Sequence, residues 1–349
     1  MLDALGVIFP FNDTINLSEL NEQRTIAGLP IGGRYRLIDF IISNMVNCGI
    51  NNISLVTNKK YQSMLNHLGA GDDFGLNRKG HSFNIIPPYA SSGEISDVSL
   101  LSNAIRVTEK FTNKYVIISN SNSIYNFNFA DLIEFYEAKN ADIALLAPDN
   151  SGNIITNTKG KVVDLNSDFN FFAILIERNL FHELLAHAKT LGATDFIADV
   201  LVKNFEHLDI YHYLYEKFYS TIDSVKKYFD FNMSLLDEKI RLKVFENNVY
   251  TKSKDCPPTR YAEGADVQNC LIADGCFIDG KVKNSIIFRG VKIGSKVDIN
   301  NCIIMQDTII QDNVKLENII LDKQVVIRKG QKLVGQASYP VVVAKKAVV

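Results

Sequence analysis

The chain has 349 residues, with 37 Lys and Arg against 39 Asp and Glu, a formal net charge of −2. Charge this balanced excludes a general footprint for nucleic acid or anionic lipid, and no run approaches the ~20 apolar residues that span a bilayer. The length points to about two domains, and the cysteines (Cys48, Cys256, Cys270, Cys276, Cys302) match no metal spacing and read as free thiols of a reducing cytoplasm.

The first residues, MLDALGVIFPF, lack a basic n-region and a cleavage site and read as a buried strand. Further β-rich apolar runs lie at 53–57, 115–119 and 142–146. Between them come helical patterns. Leu37, Ile38, Ile41, Ile42 and Met45 fall on one stripe, and residues 128–137, 178–189 and 224–238 are further helix candidates. Strand and helix alternating this way predict a mostly parallel, Rossmann-like α/β sheet over residues 1–243, with ligands at the strands' carboxyl ends. The ring-rich stretch 211–219 lacks interleaved basic residues and reads as a packed strand, not a platform for nucleic acid.

After a linker over 244–265 the pattern changes. Segments starting at Asn269, Asn284, Asn301 and Asn318 stack in register, 15, 17 and 17 residues apart. Ile or Val recurs in each at about six-residue steps, the spacing of a left-handed β-helix of hexapeptide repeats over 266–349. An ordinary β-sandwich is the plainer alternative, and the fourfold register favours the β-helix. Cys270, Cys276 and Cys302 fall near hexapeptide positions and read as small core residues. Hexapeptide acyltransferases use a histidine base between coils, and no histidine follows His212, so the β-helix reads as scaffold or interface.

An α/β domain followed by a β-helix resembles the sugar-nucleotide pyrophosphorylases. LPIGGRYRLIDFIISNMVNCGI, from Leu29, resembles the segment PFGGKYRIIDFxLSNxxNSGI of the glucose-1-phosphate adenylyltransferase family. YQSMLNHLG, DFIAD, YFDFNMSLL and VYTKSKDCPPTRY resemble later family segments, so the resemblance covers nearly the whole chain. It implies attack of a sugar phosphate on the α-phosphate of ATP. That chemistry needs a glycine loop around the triphosphate, cations to offset charge, and carboxylates on Mg²⁺.

Each of these parts is altered. The family loop GGxGxRLxPL matches Phe11, Asn12, Asp13, Thr14, Ile15, Asn16 and Leu17, so the glycines are gone and the arginine position is Asn16. The lysine of RAKP is Ile26. The metal-binding aspartates fall at Asn122 and Thr221, and a neutral amide is a poor Mg²⁺ ligand. The sugar-site GTADA, near 95–99, and the EKP signature, near 165–167, are also missing. The resemblance is therefore to the degenerate, regulatory bacterial subunit of the family. It implies no catalytic residue and no cofactor in this chain, Mg²⁺ in a catalytic partner, and a cytoplasmic hetero-oligomer making ADP-glucose for glycogen. The competing reading is a weakly active adenylyltransferase in its own right.

Arg24, Arg34, Arg36 and His67 lie in or beside the best-kept segments, and the matching family positions bind anionic effectors such as sugar bisphosphates or phosphate. They are the candidate effector site; the plainer reading pairs them with Asp39 or Glu22 at the surface. Asp195 and Asp199, four residues apart, read as a helix cap and a solvated charge.

Overall fold

In a computed structural model of the chain, residues 2–11, 15–57, 60–88, 96–109, 111–149 and 152–349 are described. Contacts divide the chain into two units. The first takes Met1–Asp13, Phe40–Tyr219 and Asn247–Tyr250; the second takes Thr14–Asp39, Ser220–Glu246 and Thr251–Val349.

The first unit holds a seven-stranded sheet: β1 (Ala4–Phe9), β2 (Asn52–Val56), β3 (Ser82–Ile86), β4 (Tyr115–Asn120), β5 (Ile143–Ala147), β6 (Ala173–Glu177) and β7 (Ile210–Leu214). Their order is β7-β5-β6-β4-β1-β2-β3. All neighbours run parallel except β6, which is antiparallel to both β4 and β5. β1, β4 and β5 are buried along their whole lengths, as strands covered on both faces must be. The expected strand at 211–219 stops at Leu214.

Helices α1 (Leu37–Asn47), α2 (Gln62–Leu68), α3 (Asp97–Val107), α4 (Phe129–Lys139) and α5 (Arg178–Thr190) alternate with the strands. The stripe Leu37, Ile38, Ile41, Ile42 and Met45 is buried along α1. α4 begins where Asn128 caps it through the Ala130 amide at 3.2 Å. The expected single helix over 224–238 is instead two, α6 (Val225–Ser234) and α7 (Glu238–Val244). Asp237 causes the break: its carboxylate accepts from the Lys239 amide at 2.8 Å and starts a new helix.

In the second unit, residues 260–343 form the left-handed β-helix. Lys281 pairs in register with Asp298, then Lys315, then Lys332, a step of one coil each time. Inward residues from successive coils, such as Ile278, Ile293, Ile310 and Ile327, are fully buried. Cys276 and Cys302 are buried with them and Cys270 is half-buried, as expected of small core residues, and all are free thiols. Asn269, Asn284, Asn301 and Asn318 turn one corner of the prism at φ between +45° and +54°. Asparagine tolerates this left-handed conformation better than most residues. Their amides bond from coil to coil, as from Asn269 Nδ2 to Asn284 Oδ1 at 2.8 Å.

A second aliphatic column, Ile286, Ile303 and Ile320, is also fully buried. α6 lies against the strand Lys281–Ile287. α6 also fixes the preserved GG segment: the Tyr228 hydroxyl donates to the Pro30 carbonyl at 2.6 Å, and the Gly32 amide donates to Asn232 Oδ1 at 3.0 Å. Gly32 and Gly33 sit at φ +57° and +89°, so the tight turn between Pro30–Ile31 and Tyr35–Arg36 needs glycine at both places.

Candidate functional site

At the carboxyl end of the first unit's sheet, Phe9 and Asn120 end neighbouring strands in register. The chain leaving β1 is held by an aromatic side chain where a phosphate loop would need bare amides. The Phe11 ring lies 4.5 Å from that of Phe9, 5.1 Å from that of Phe171 and 6.2 Å from that of Phe196. Phe11 is half-buried and packs against the hydrophobic core, and its backbone cannot close on a phosphate without giving up that packing. Asn12, Asp13, Thr14 and Ile95 lie outside the described residues.

The residues that follow β4 are sealed. Asn120 and Asn122 are 1% and 2% exposed. Asn120 Oδ1 accepts from the Ser121 amide at 2.8 Å, which fixes its orientation, and Asn122 Oδ1 accepts from the Ser123 hydroxyl at 3.2 Å. Among the described residues, their Nδ2 atoms have no partner. A hard divalent ion wants unengaged carboxylate oxygens. The position instead offers one carbonyl oxygen already in use and an NH₂ group, so Asn122 does not suit Mg²⁺.

The other altered positions lie in the second unit. Ile26 is buried in a short turn at Ile26–Gly28, where its alkyl side chain packs and carries no charge. Asn16 is exposed and turns the backbone locally, accepting from the Ser18 amide at 2.9 Å. Thr221 is half-buried.

Where the sugar-site signature is missing, Ser96 and Ser99 form an ordinary capping box for α3. Asp195 caps the helical turn at Phe196–Leu201 through the Ala198 amide at 2.8 Å, as expected. Asp199 is not simply solvated. It accepts from the Thr194 and Asp195 amides and pairs with Lys203 at 2.7 Å. Lys203 first and then those amides hold its carboxyl down to about 2. Both carboxylates are thus engaged structurally.

The second unit brings together two of the expected effector residues. Arg24 is 4% exposed and its guanidinium grips both oxygens of Asp322 at 2.7 and 2.8 Å, not Glu22 or Asp39 as the plainer reading had it. Asp39 instead accepts from the Arg36 amide at 2.9 Å and from the Thr251 hydroxyl at 2.6 Å. Burial lowers the Arg36 guanidinium to about 10, Asp39 opposes this, and Arg24 adds to it. Lys323, next to Asp322, is the residue that motif reasoning missed. Burial brings its ammonium down to about 7; Arg36, Arg24 and Lys254 push the same way and Asp322 opposes them. Arg24, Arg36 and Lys323 thus share one field, in which Asp322 and Asp39 oppose them. Such a surplus suits an anion, which would relieve the mutual repulsion. Arg34 stands apart, exposed and resting over the Tyr35 ring at 5.5 Å. His67 is buried in α2 of the first unit.

The sheet and β-helix define a nucleotidyltransferase-fold protein with a hexapeptide domain. Residues 17–153 match the family model for nucleotidyl transferases, and residues 257–338 match that for the GlmU-like C-terminal hexapeptide. The chain is 32% identical to the glycogen biosynthesis protein GlgD of Bacillus subtilis over 346 residues, 98% of this chain and 95% of the relative. Its identity to GlgD of Geobacillus stearothermophilus is 34% over 296 residues, covering 83% and 81%. A glucose-1-phosphate adenylyltransferase of Thermosipho melanesiensis is 27% identical over 323 residues, covering 86% and 78%. The chain belongs to the GlgD family, within the wider glucose-1-phosphate adenylyltransferase family. Among the described residues, no helix is long and apolar enough to cross a membrane.

Proposed function

We propose that this chain is the regulatory, non-catalytic subunit of a glucose-1-phosphate adenylyltransferase, serving glycogen biosynthesis in the cytoplasm. The observation that carries this reading is the carboxyl end of the sheet. There Phe11 fills the loop position and Asn122 presents an engaged, buried amide where the chemistry needs a Mg²⁺ carboxylate. Catalysis, with its Mg²⁺, belongs to a partner subunit that makes ADP-glucose from ATP and glucose 1-phosphate. This chain raises that partner's activity or alters its response to an anionic metabolite.

The effector is a phosphate or sugar phosphate, received in the second unit by Arg24, Arg36 and Lys323. Half-buried cations under mutual repulsion support this, because an oxyanion relieves that repulsion. The test is titration of the mixed enzyme with inorganic phosphate and with a sugar bisphosphate. Lys323→Met in this chain is expected to weaken the response at least tenfold while the rate without effector stays the same. An unchanged response would remove the effector site from this chain.

A further inference from the structure

In the first unit, α3 and α5 line an open pocket of about 240 Å³. Ile105 and Leu185, both core residues, line it with Arg106, Glu109, His182 and Lys189. Among the described residues, Arg106, Glu109 and Lys189 take part in no ion pair. His182 Nε2 is shielded from solvent and has no protein partner. Burial first, then Arg178, lowers the His182 imidazole, which therefore stays neutral near pH 7. Two cations thus face one carboxylate beside apolar side chains.

Arg106 and Lys189 each sit in the last turn of a helix, where a cation meets the negative end of the macrodipole. That accounts for a cation at each end. It does not account for two of them lining the same cavity with an unsatisfied imidazole and an apolar wall. The volume lies below the ~300–1,000 Å³ of sites for drug-sized ligands, so the occupant is small.

We propose that the α3–α5 cavity binds a small organic anion, with its carboxylate or phosphate head on Arg106 and Lys189 and a short alkyl body against Ile105 and Leu185. The site is independent of the effector residues in the second unit. The test uses the full chain, with butyrate, monobutyl phosphate and the uncharged control 1-butanol as probes. NMR follows the His182 ring proton, assigned by its loss in His182→Gln.

One anion or both should shift that proton saturably, and the tighter of the two identifies the head group. Arg106→Gln with Lys189→Gln should weaken binding about tenfold or more, the loss of a charge-assisted contact, while 1-butanol shifts the proton little. Equal binding of butanol and butyrate, no saturable shift with either anion, or unchanged binding in the double variant would each overturn the proposal. The double variant keeps α3 and α5 intact if its circular dichroism and melting match wild type, since both positions are exposed.

Discussion

Arg24 and Asp322, 298 positions apart, form a two-point ion pair with side chains only 4% and 1% exposed. A buried pair costs much to break and little to replace, because removing one partner strands the other charge away from water. Asp322→Asn should therefore destabilise the chain by about 3–5 kcal/mol. The double variant Arg24→Met with Asp322→Leu should recover most of that loss. Urea unfolding of the two variants and wild type checks the ordering. Effector titration of the same two variants separates a structural loss from loss of the proposed effector response, which of these two only the one carrying the Arg24 change should abolish directly.

The anion binding proposed at Lys323 should depend on pH. The Lys323 ammonium titrates at about 7 in the folded chain, against an ordinary lysine value of about 10.4. An anion bound beside it restores the proton, so binding above about pH 7 is accompanied by proton uptake and affinity falls as pH rises. Calorimetry in two buffers of different ionisation enthalpy should read that uptake in wild type and not in Lys323→Met. The sign for stability runs the other way: between about pH 7 and 10 the unfolded chain binds more protons at this residue than the folded chain. This group's contribution to stability therefore rises with pH in that window, and Lys323→Met should remove the slope.

Asp97, in the first turn of α3, should oppose stability at neutral pH. Burial first, then the charge of Asp195, pushes its carboxyl up to about 7. The folded chain binds more protons here than the unfolded chain between about pH 4 and 7, so this contribution is full below that range and lost as pH rises through it. Asp97→Asn should be more stable than wild type at pH 8, by about 1 kcal/mol or more, and show no gain at pH 4. Chemical denaturation at both pH values reads the difference.

The asparagine corner of the β-helix combines a backbone role with a bonding role. Asn301 sits at φ +53° and donates to Asn318 in the next coil. Asn301→Ala loses the coil-to-coil bond and strains the backbone, a cost of about 1–3 kcal/mol. Asn301→Gly keeps the conformation and should cost less. Thermal melting of the two variants decides between strain and bonding as the main contribution.

The parts legible in the sequence are those with a short period or a local signal. The α1 stripe, the α4 cap at Asn128 and the coil register from Asn269 to Asn318 all rest on neighbours or fixed repeats. β6 is another matter. Its run, Ala173–Glu177, is as apolar as any parallel strand, and nothing local says that it enters the sheet antiparallel. The effector cluster divided in the same way. Arg36 lies in a preserved segment and Arg24 beside it, but Lys323 joins them only because the β-helix carries position 323 to that place. Arg34 shares the segment but sits in the tight turn that precedes Tyr35–Arg36, exposed and over the Tyr35 ring.

The replacement of the family's catalytic positions was legible residue by residue, at Asn122 and along the loop from Phe11. What the structure adds is that these positions are not merely neutral. Phe11 is packed against the core and Asn122 is buried and bonded, so restoring single side chains should not rebuild the centre. Asn122→Asp with Thr221→Asp is expected to yield no turnover.

The most direct measurement is ADP-glucose synthesis, with Mg²⁺, by the purified chain alone, by its catalytic partner alone and by the two mixed. The account predicts no turnover by this chain alone and a higher rate or changed effector response in the mixture. Mg²⁺-dependent turnover by this chain alone, or a mixture that behaves as the partner does by itself, would contradict it.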